Sequence, residues 1–536
     1  MIYIYFLISQ LICQIPIDFS ISKSNIINRY DDISEIGIYN NSIIDIKPLN
    51  STNIFFSTGS DYHNDKTKSA LSYATLSTIH PDSILFRSFN KNYVSLPRGG
   101  APALAVRDNI IAISGILDTI AVTGEEIMGT GISYSIDEGE TWFYLPQPID
   151  KIPDTGKYHN INWGNQSISA LAITTEINNI SYDLSIEGEY IYAASWAGGI
   201  RRYGPIYSDL KSWEIIPLPM DSDSSLICNE INLNNYEVNP NDPINGGNHN
   251  HKGFSIYVIN DTIWAGTANG INKGVIDNNS TCINWTNHYT STWDDISGNW
   301  VIGFHNQTLG DNIERIWAIT WAGEGNNENN ALSYSENGGK NWQITSPSGY
   351  SEKVYNLYSN ENKIWAATKS GLYLSKDGRN WEKYLRPIDS ITGQEILTNE
   401  VLSVYYNGMI WAGTPVGLSI ISNDTLNTIY KFQAPASPFY AYPNPFLINN
   451  HNQIDNNGYA IFIFSNPNNY FSSIDIFDFS MDKVIQLNNA IMINDIESQI
   501  LWNGKNDYGH QVNNGVYFCR LSINGTKHWT KLAVIN

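Results

Sequence analysis

Ile263-Trp264-Ala265-Gly266-Thr267 decides the fold of this chain, because the chain repeats it. The pattern returns as Ile316-Trp317-Ala318-Ile319-Thr320, Ile364-Trp365-Ala366-Ala367-Thr368 and Ile410-Trp411-Ala412-Gly413-Thr414. A tyrosine version is Ile191-Tyr192-Ala193-Ala194-Ser195; weaker copies are Ile110-Ile111-Ala112-Ile113-Ser114 and Ile54-Phe55-Phe56-Ser57-Thr58. The four tryptophans fall 53, 48 and 46 residues apart, the period of a four-stranded unit repeated about an axis.

The clearest unit gives the wiring. Val354 to Ser359 alternates as an inner strand, Asn360-Glu361-Asn362 turns, and Lys363 to Thr368 runs back. Ser370-Gly371 turns again, Leu372-Tyr373-Leu374 is a third strand, and a further hairpin leads to Trp381 on the outer strand. Such a sheet protects its edges only by radial repetition. The expectation is an all-β chain with a seven-bladed β-propeller over residues 25–432. Six or eight blades stay open, because the first two copies are poor.

Composition narrows the function. The 536 residues carry 31 Lys+Arg against 52 Asp+Glu, a formal net charge of −21. Such a surface repels phosphate backbones, so nucleic acid is excluded as the expected partner. Residues 1–20 read as a secretory signal: Met1 to Ile17 is apolar apart from Ser9, Gln10 and Gln14, although it lacks a Lys or Arg. No later segment is long and apolar enough to span a bilayer. If Cys13 leaves with the signal, Cys228, Cys282 and Cys519 remain, and Cys228 with Cys282 either pair or stay as buried thiols. No metal site or cofactor is expected.

Strand order fixes which loops share a side. Turns after the second and fourth strands surround the mouth of the central channel, and that side collects the unusual residues. Trp196 follows Ser195, Trp321 and Glu324 sit in Thr320–Gly325, and Glu126 lies in a longer equivalent loop. Trp293-Asp294-Asp295 and Asn248-His249-Asn250-His251 fall between blades. Flat rings stack on sugars and carboxylates take hydroxyl hydrogen bonds, so Trp196, Trp293, Trp321, Glu324, His249 and His251 are the ligand-binding candidates. Alternatively Trp196 and Trp321 only pack between blades and the histidines are merely solvated. A glycosidase would need two carboxylates facing each other across a sugar; Glu126, Asp294 and Asp295 are the weak candidates.

The third hairpin carries a second motif. Ser135-Ile136-Asp137-Glu138-Gly139-Glu140-Thr141-Trp142 is followed by a copy from Ser335 through Asn337 and Gly339 to Trp342. A shortened one runs from Ser375 through Asp377 and Gly378 to Trp381. These resemble the Asp-box (BNR repeat) of sialidases, sortilin-type receptors and xyloglucanase-type propellers. The resemblance implies a structural role on the face opposite the ligand site. No Arg-Ile-Pro signature of sialidases is present. The wording from Trp411 to Leu418 also resembles two-component regulator propellers, which makes a sensor ectodomain a third class.

Near the C-terminus, Tyr442-Pro443-Asn444-Pro445-Phe446 precedes Leu501-Trp502-Asn503-Gly504 and Asn513-Asn514-Gly515-Val516-Tyr517-Phe518. Asn-Gly pairs supply the left-handed positions of tight turns between strands. The order resembles the C-terminal sorting domain of proteins exported by the type IX secretion system, and the related hook-capping-protein domain. It implies an immunoglobulin-like β-sandwich over 442–536 after a linker at 433–441. Its implied partner is the secretion machinery. The expected protein is secreted or held at the outer cell surface and binds an extracellular glycan or protein ligand through the face opposite the Asp-boxes. The alternative is a sialidase-like or xyloglucanase-like glycoside hydrolase.

Overall fold

The buried second strand of each repeat explains why its sequence recurs. Thr262–Thr267, Lys363–Thr368, Met409–Thr414 and Tyr190–Ser195 each bury every residue after the first. Buried on both faces, such a strand reads as a continuous apolar run instead of an alternating one. Trp317, Trp365 and Trp411 are at most 1 % exposed; cutting one back to alanine would cost about 3–5 kcal/mol. The closing hydroxyl is local machinery. Thr368 Oγ1 accepts the backbone N–H of Gly371 at 3.1 Å and donates to its carbonyl at 2.7 Å. Gly371 has a φ of 148°, which a side chain would resist.

This computed structural model describes residues 34–36, 38, 40–59, 70–76, 84–89, 95–121, 124–150, 155–277, 282–310, 313–323, 325, 327–384, 398–422, 426–430, 439–448, 458–466, 468–488, 490–492 and 497–535. The expected signal segment and Glu324 lie outside the described residues. Backbone contacts divide the chain into two units, one spanning 20–385 and 399–415, the other mainly 416–536.

The first unit is a β-propeller. Its inner strands are Ile43–Pro48, Leu104–Arg107, Ser181–Glu187, Gly253–Ile259, Trp300–Thr308, Val354–Asn360 and Ser403–Tyr406, called blades 1 to 7. Within each of the first six, the inner strand starts an antiparallel meander of four strands, and blade 1 adds the edge strand Ser34–Ile36. Blade 7 contributes its inner hairpin, Ser403–Tyr406 against Met409–Thr414. Each inner strand lies against the next, and that of blade 7 returns to blade 1. Ser403 Oγ donates to the carbonyl of Ile43 at 3.0 Å across that closure. Seven inner strands therefore surround one channel.

Five inner strands bear a β-bulge at the same place. The register against the second strand slips between Ile43 and Asp45, Ser181 and Asp183, Gly253 and Ser255, Val301 and Gly303, and Val354 and Asn356. A bulge leaves one residue unpaired and re-aims its neighbours. The unpaired residues are Ile44, Tyr182, Phe254, Ile302 and Tyr355.

An insertion stands beside blades 3 and 4. Tyr158–Trp163, Gln166–Leu171 and Glu237–Val238 form a three-stranded sheet. Cys228 is bonded to Cys282, which ties the insertion to blade 4. Trp163, Tyr236, Trp285 and the disulfide share one apolar cluster.

The second unit holds the hairpin of Gly417–Ser422 with Leu426–Tyr430, and a sandwich of one four-stranded and one five-stranded sheet. Trp502 lies in the sandwich core beside Phe446 and Tyr517. Asn444 Nδ2 donates to Lys531 O at 2.8 Å and its Oδ1 accepts Ala533 N–H at 2.9 Å, so the Pro-Asn-Pro segment clamps the last strand. The boundary falls earlier than the motif suggested. Phe439–Tyr442 is already a strand paired with Ala460–Ser465, with Phe439 and Ala441 buried, so residues 439–441 are sandwich and not linker.

Candidate ligand site at the channel mouth

Each inner strand starts on the side where the second strand ends, as the pairing of Ser181 with Ser195 and Val301 with Thr320 requires. The bulged residues therefore stand at one end of the channel, beside the loops that follow the second strands. Phe254 is the centre of an aromatic group there. Its ring lies 5.2 Å from Trp196, 5.6 Å from Trp300 and 6.3 Å from Tyr182. Lys252 Nζ sits 5.0 Å above the Trp196 ring. A second group pairs Trp321 with Tyr355 at 5.9 Å and carries Lys353 Nζ 4.0 Å from the Trp321 ring. Trp196, Phe254, Trp300, Trp321 and Tyr355 are half-buried, and Tyr182 is exposed.

Below this rim the channel encloses about 340 Å³, lined by inner-strand residues of all seven blades. Asp183 and Lys47 line it, with Arg107, His305 and Tyr358. Lys47 Nζ is 3.0 Å from Asp45 Oδ2. Burial pulls the ammonium down, but the charge and hydrogen bond of Asp45 and the charge of Asp183 outweigh it and leave Lys47 above its ordinary value. Asp183 is the opposite case. Burial pushes its carboxyl up to about 7, against two backbone N–H bonds and the charge of Lys47. His305 is held down at about 3 by burial and then by Lys47, so its ring is neutral at neutral pH, with Nε2 2.7 Å from Ser359 Oγ. Arg107, toward the far end, donates to the carbonyls of Ile186 and Val258 and pairs with Glu187.

The residues singled out from sequence fall in several places. Trp196 and Trp321 stand on the mouth side, in separate aromatic groups, and Trp321 Nε1 donates to Val354 O at 2.8 Å. Trp293 is 87 % exposed on the loop before blade 5. Asp294 closes that loop by accepting Thr290 N–H at 3.0 Å, and Asp295 is exposed. Glu126 lies across from Thr119 on the long hairpin of blade 2. Blade 3 separates that hairpin from blade 4 in the ring, so Glu126 and the Asp294 loop arise from non-adjacent blades.

His251 is buried: its Nδ1 accepts Asn239 N–H at 3.0 Å and its Nε2 faces Leu218 O at 3.0 Å. Both ring nitrogens hold the insertion, and burial depresses the pKa. His249 Nε2 lies 3.5 Å from Asp242 Oδ1. Among the described residues no cluster of three His, Cys, Asp or Glu side chains is arranged to hold a metal ion. No helix of the described residues is long and apolar enough to cross a membrane.

The third hairpins, at the opposite end, share one bonding pattern. Ser135 Oγ accepts Gly139 N–H at 2.8 Å, while Asp137 accepts Thr141 N–H at 2.8 Å and the Thr141 hydroxyl at 2.6 Å. Ser335 and Asn337 repeat the first two bonds with Gly339 and Asn341. Ser375 bonds Gly378 N–H, and Asp377 takes the amides of Arg379 and Asn380. Those two amides hold the Asp377 carboxyl well below the usual range. Trp142 packs on Phe89 of blade 1, Trp342 on Trp264 of blade 4, and Trp381 on Trp317 of blade 5. Each hairpin thus seats a tryptophan on the preceding blade.

The channel-lining residues were missed from sequence. Two of them, Asp183 and Asn356, carry a weak signal: like Asp45, Ser255 and Gly303 at the other bulges, each is a small or polar residue after an apolar one.

Fold and site together define a β-propeller protein with an aromatic-rimmed channel and an added β-sandwich. No protein-family profile matches the sequence, and none of the curated proteins compared with it does. Among solved structures, similarity extends to PorZ, a bacterial surface component of the type-IX secretion system of Porphyromonas gingivalis. The two are 13 % identical, with 92 % of this chain and 81 % of PorZ covered and a TM-score of 0.32. The GH74 xyloglucanase of Xanthomonas campestris is 10 % identical over 92 % of this chain and 68 % of its own, with a TM-score of 0.43. YCF48, solved with a D1 peptide, is 12 % identical over 71 % and 93 %, with a TM-score of 0.37.

Proposed function

We propose that this is a secreted or outer-surface binding protein that takes an extracellular glycan or protein ligand at the mouth of its channel, and that its C-terminal sandwich directs export by type IX secretion. The observation behind the binding reading is the rim: Tyr182, Phe254, Trp196 and Trp300 gather on the face opposite the Asp-box-like hairpins. Rings part-exposed at a concave entrance offer apolar area with little side-chain entropy to lose. A glycoside hydrolase reading draws less support, because Glu126 and the Asp294 loop arise from non-adjacent blades and Asp294 is committed to its own turn. The export reading rests on the tail motif from Tyr442 to Phe518.

Two experiments test these parts separately. Glycan and peptide arrays probed with the full chain should give hits that a Trp196→Ala, Phe254→Ala double variant loses. Equal binding by that variant would refute the site. Removing residues 439–536 should strand the protein in the periplasm; unchanged export would refute the sorting role.

A further inference from the structure

Asp183 presents a carboxyl to the channel that the fold leaves without an ion-pair partner among the described side chains. Its Oδ2 accepts Ile256 N–H and its Oδ1 accepts Leu184 N–H, both at 2.9 Å. These backbone bonds fix the carboxylate against the wall of the channel. Lys47 lines the same cavity, but its ion pair is with Asp45 at 3.0 Å. No ion pair to Asp183 occurs among the described side chains. The entrance beside it is ringed by Tyr182 and Phe254, and ring faces attract cations. On this same side Lys252 and Lys353 already rest over the rings of Trp196 and Trp321.

We propose that the channel seats a cationic group on a flexible chain, an alkylammonium such as a lysine side chain, with Asp183 as counter-ion and the mouth rings as its collar. The proposal rests on the reading that the mouth face takes the ligand, and names the chemistry of what enters. The cavity of about 340 Å³ admits the end of an extended chain, and Leu184, Ile256 and Phe304 line it beside Asp183. An anionic ligand fits worse: Lys47 and Arg107 are already paired, with Asp45 and Glu187. The charges of Lys47 and Asp45 of blade 1 act on Asp183, and the other titratable or charged groups lining the channel are Arg107 of blade 2, Tyr257 of blade 4, the neutral His305 of blade 5 and Tyr358 of blade 6. Burial holds the Asp183 carboxyl at about 7, so cation binding there should release a proton.

The test uses the full chain and isothermal titration at pH 7 with tetralysine, with tetralysine acetylated on every side chain, and with spermidine. Tetralysine should bind, with proton release read from the buffer dependence of the heat, and acetylation should abolish binding. Asp183→Asn should weaken binding at least about tenfold, as loss of a partly desolvated charge partner does. Asn356, at the equivalent place in blade 6, accepts Val404 N–H, so asparagine fits this position and the variant should fold. Asp183-dependent binding of spermidine alone would make the natural source a free polyamine; of tetralysine alone, a basic protein segment. Equal affinity of Asp183→Asn, undiminished binding of the acetylated peptide, or no binding of either cation would overturn the proposal. If array hits survive Asp183→Asn but not the Trp196→Ala, Phe254→Ala change, this inference fails and the mouth reading stands. Hits indifferent to both changes sink the two together.

Discussion

Asp183 of blade 3 accepts the backbone N–H of Ile256, on the inner strand of blade 4, at 2.9 Å. Asn356 of blade 6 makes the equivalent bond to Val404 of blade 7 at 3.4 Å. Ser255 reaches the Val301 carbonyl and Ser403 the Ile43 carbonyl from the same level of their strands. At this level of the strand, the side chains of blades 3, 4, 6 and 7 thus fasten each to the next blade. At blade 3 the side chain is an acid whose carboxyl burial pushes up to about 7.

That difference predicts a pH-dependent stability. The folded-state pKa of Asp183, about 7, lies above the roughly 3.9 of an unfolded aspartate. The protonated form is therefore favoured in the folded chain. Its contribution is fully present below the unfolded value and is lost as pH rises through about 7. Asp183→Asn should melt increasingly higher than the parent between pH 5 and 8, while keeping the bond to Ile256. A Tm difference that stays flat over that interval would contradict the raised pKa.

His251 works with the opposite sign. Burial lowers its folded pKa, so its contribution is present above the unfolded value of roughly 6.5 and is lost as pH falls. The protection factors of the amides in residues 218–251 should fall below about pH 6, before the blades open. His251→Gln should speed exchange there at neutral pH as well, since it cannot repeat both bonds.

The Cys228–Cys282 link closes a loop 54 residues apart in sequence. Chain entropy for such a loop is worth roughly 4 kcal/mol before any native strain. Cys228→Ser, or reduction, should lower the melting temperature and expose the insertion to protease first. Identical melts with and without reductant would mean that packing alone secures it.

Asp137 accepts three hydrogen bonds inside its own hairpin. Asp137→Ala should cost about 1–3 kcal/mol of stability. It should leave every mouth ligand bound as before, because the hairpin is at the other end of the blade. Loss of binding with unchanged stability would move the functional face.

The repeated second strands were legible because burial on both faces leaves no room for polar residues, and the period then gave the blades. The turns at Thr368 and Gly371 were legible for a local reason too: the glycine has a positive φ. The bulges were not. Ser181-Tyr182-Asp183-Leu184 reads as plain alternation, and only pairing with the next strand reveals the extra residue. Asn248-His249-Asn250-His251 reads as a polar loop, yet a short 3-10 turn buries Asn250 and His251. In the tail, the turn at Gly504 and the strand from Gly515 were legible in their Asn-Gly pairs, but that Phe439 already belongs to a strand needed Ala460–Ser465 beside it.

The most direct measurement is a paired comparison of ligand retention. The full chain would be probed on one array as Phe254→Ala at the mouth and as Asp137→Ala at the opposite end. Hits should be lost in the first and retained in the second. Retention at the mouth, with loss at the hairpin end, would contradict the mouth as the binding face.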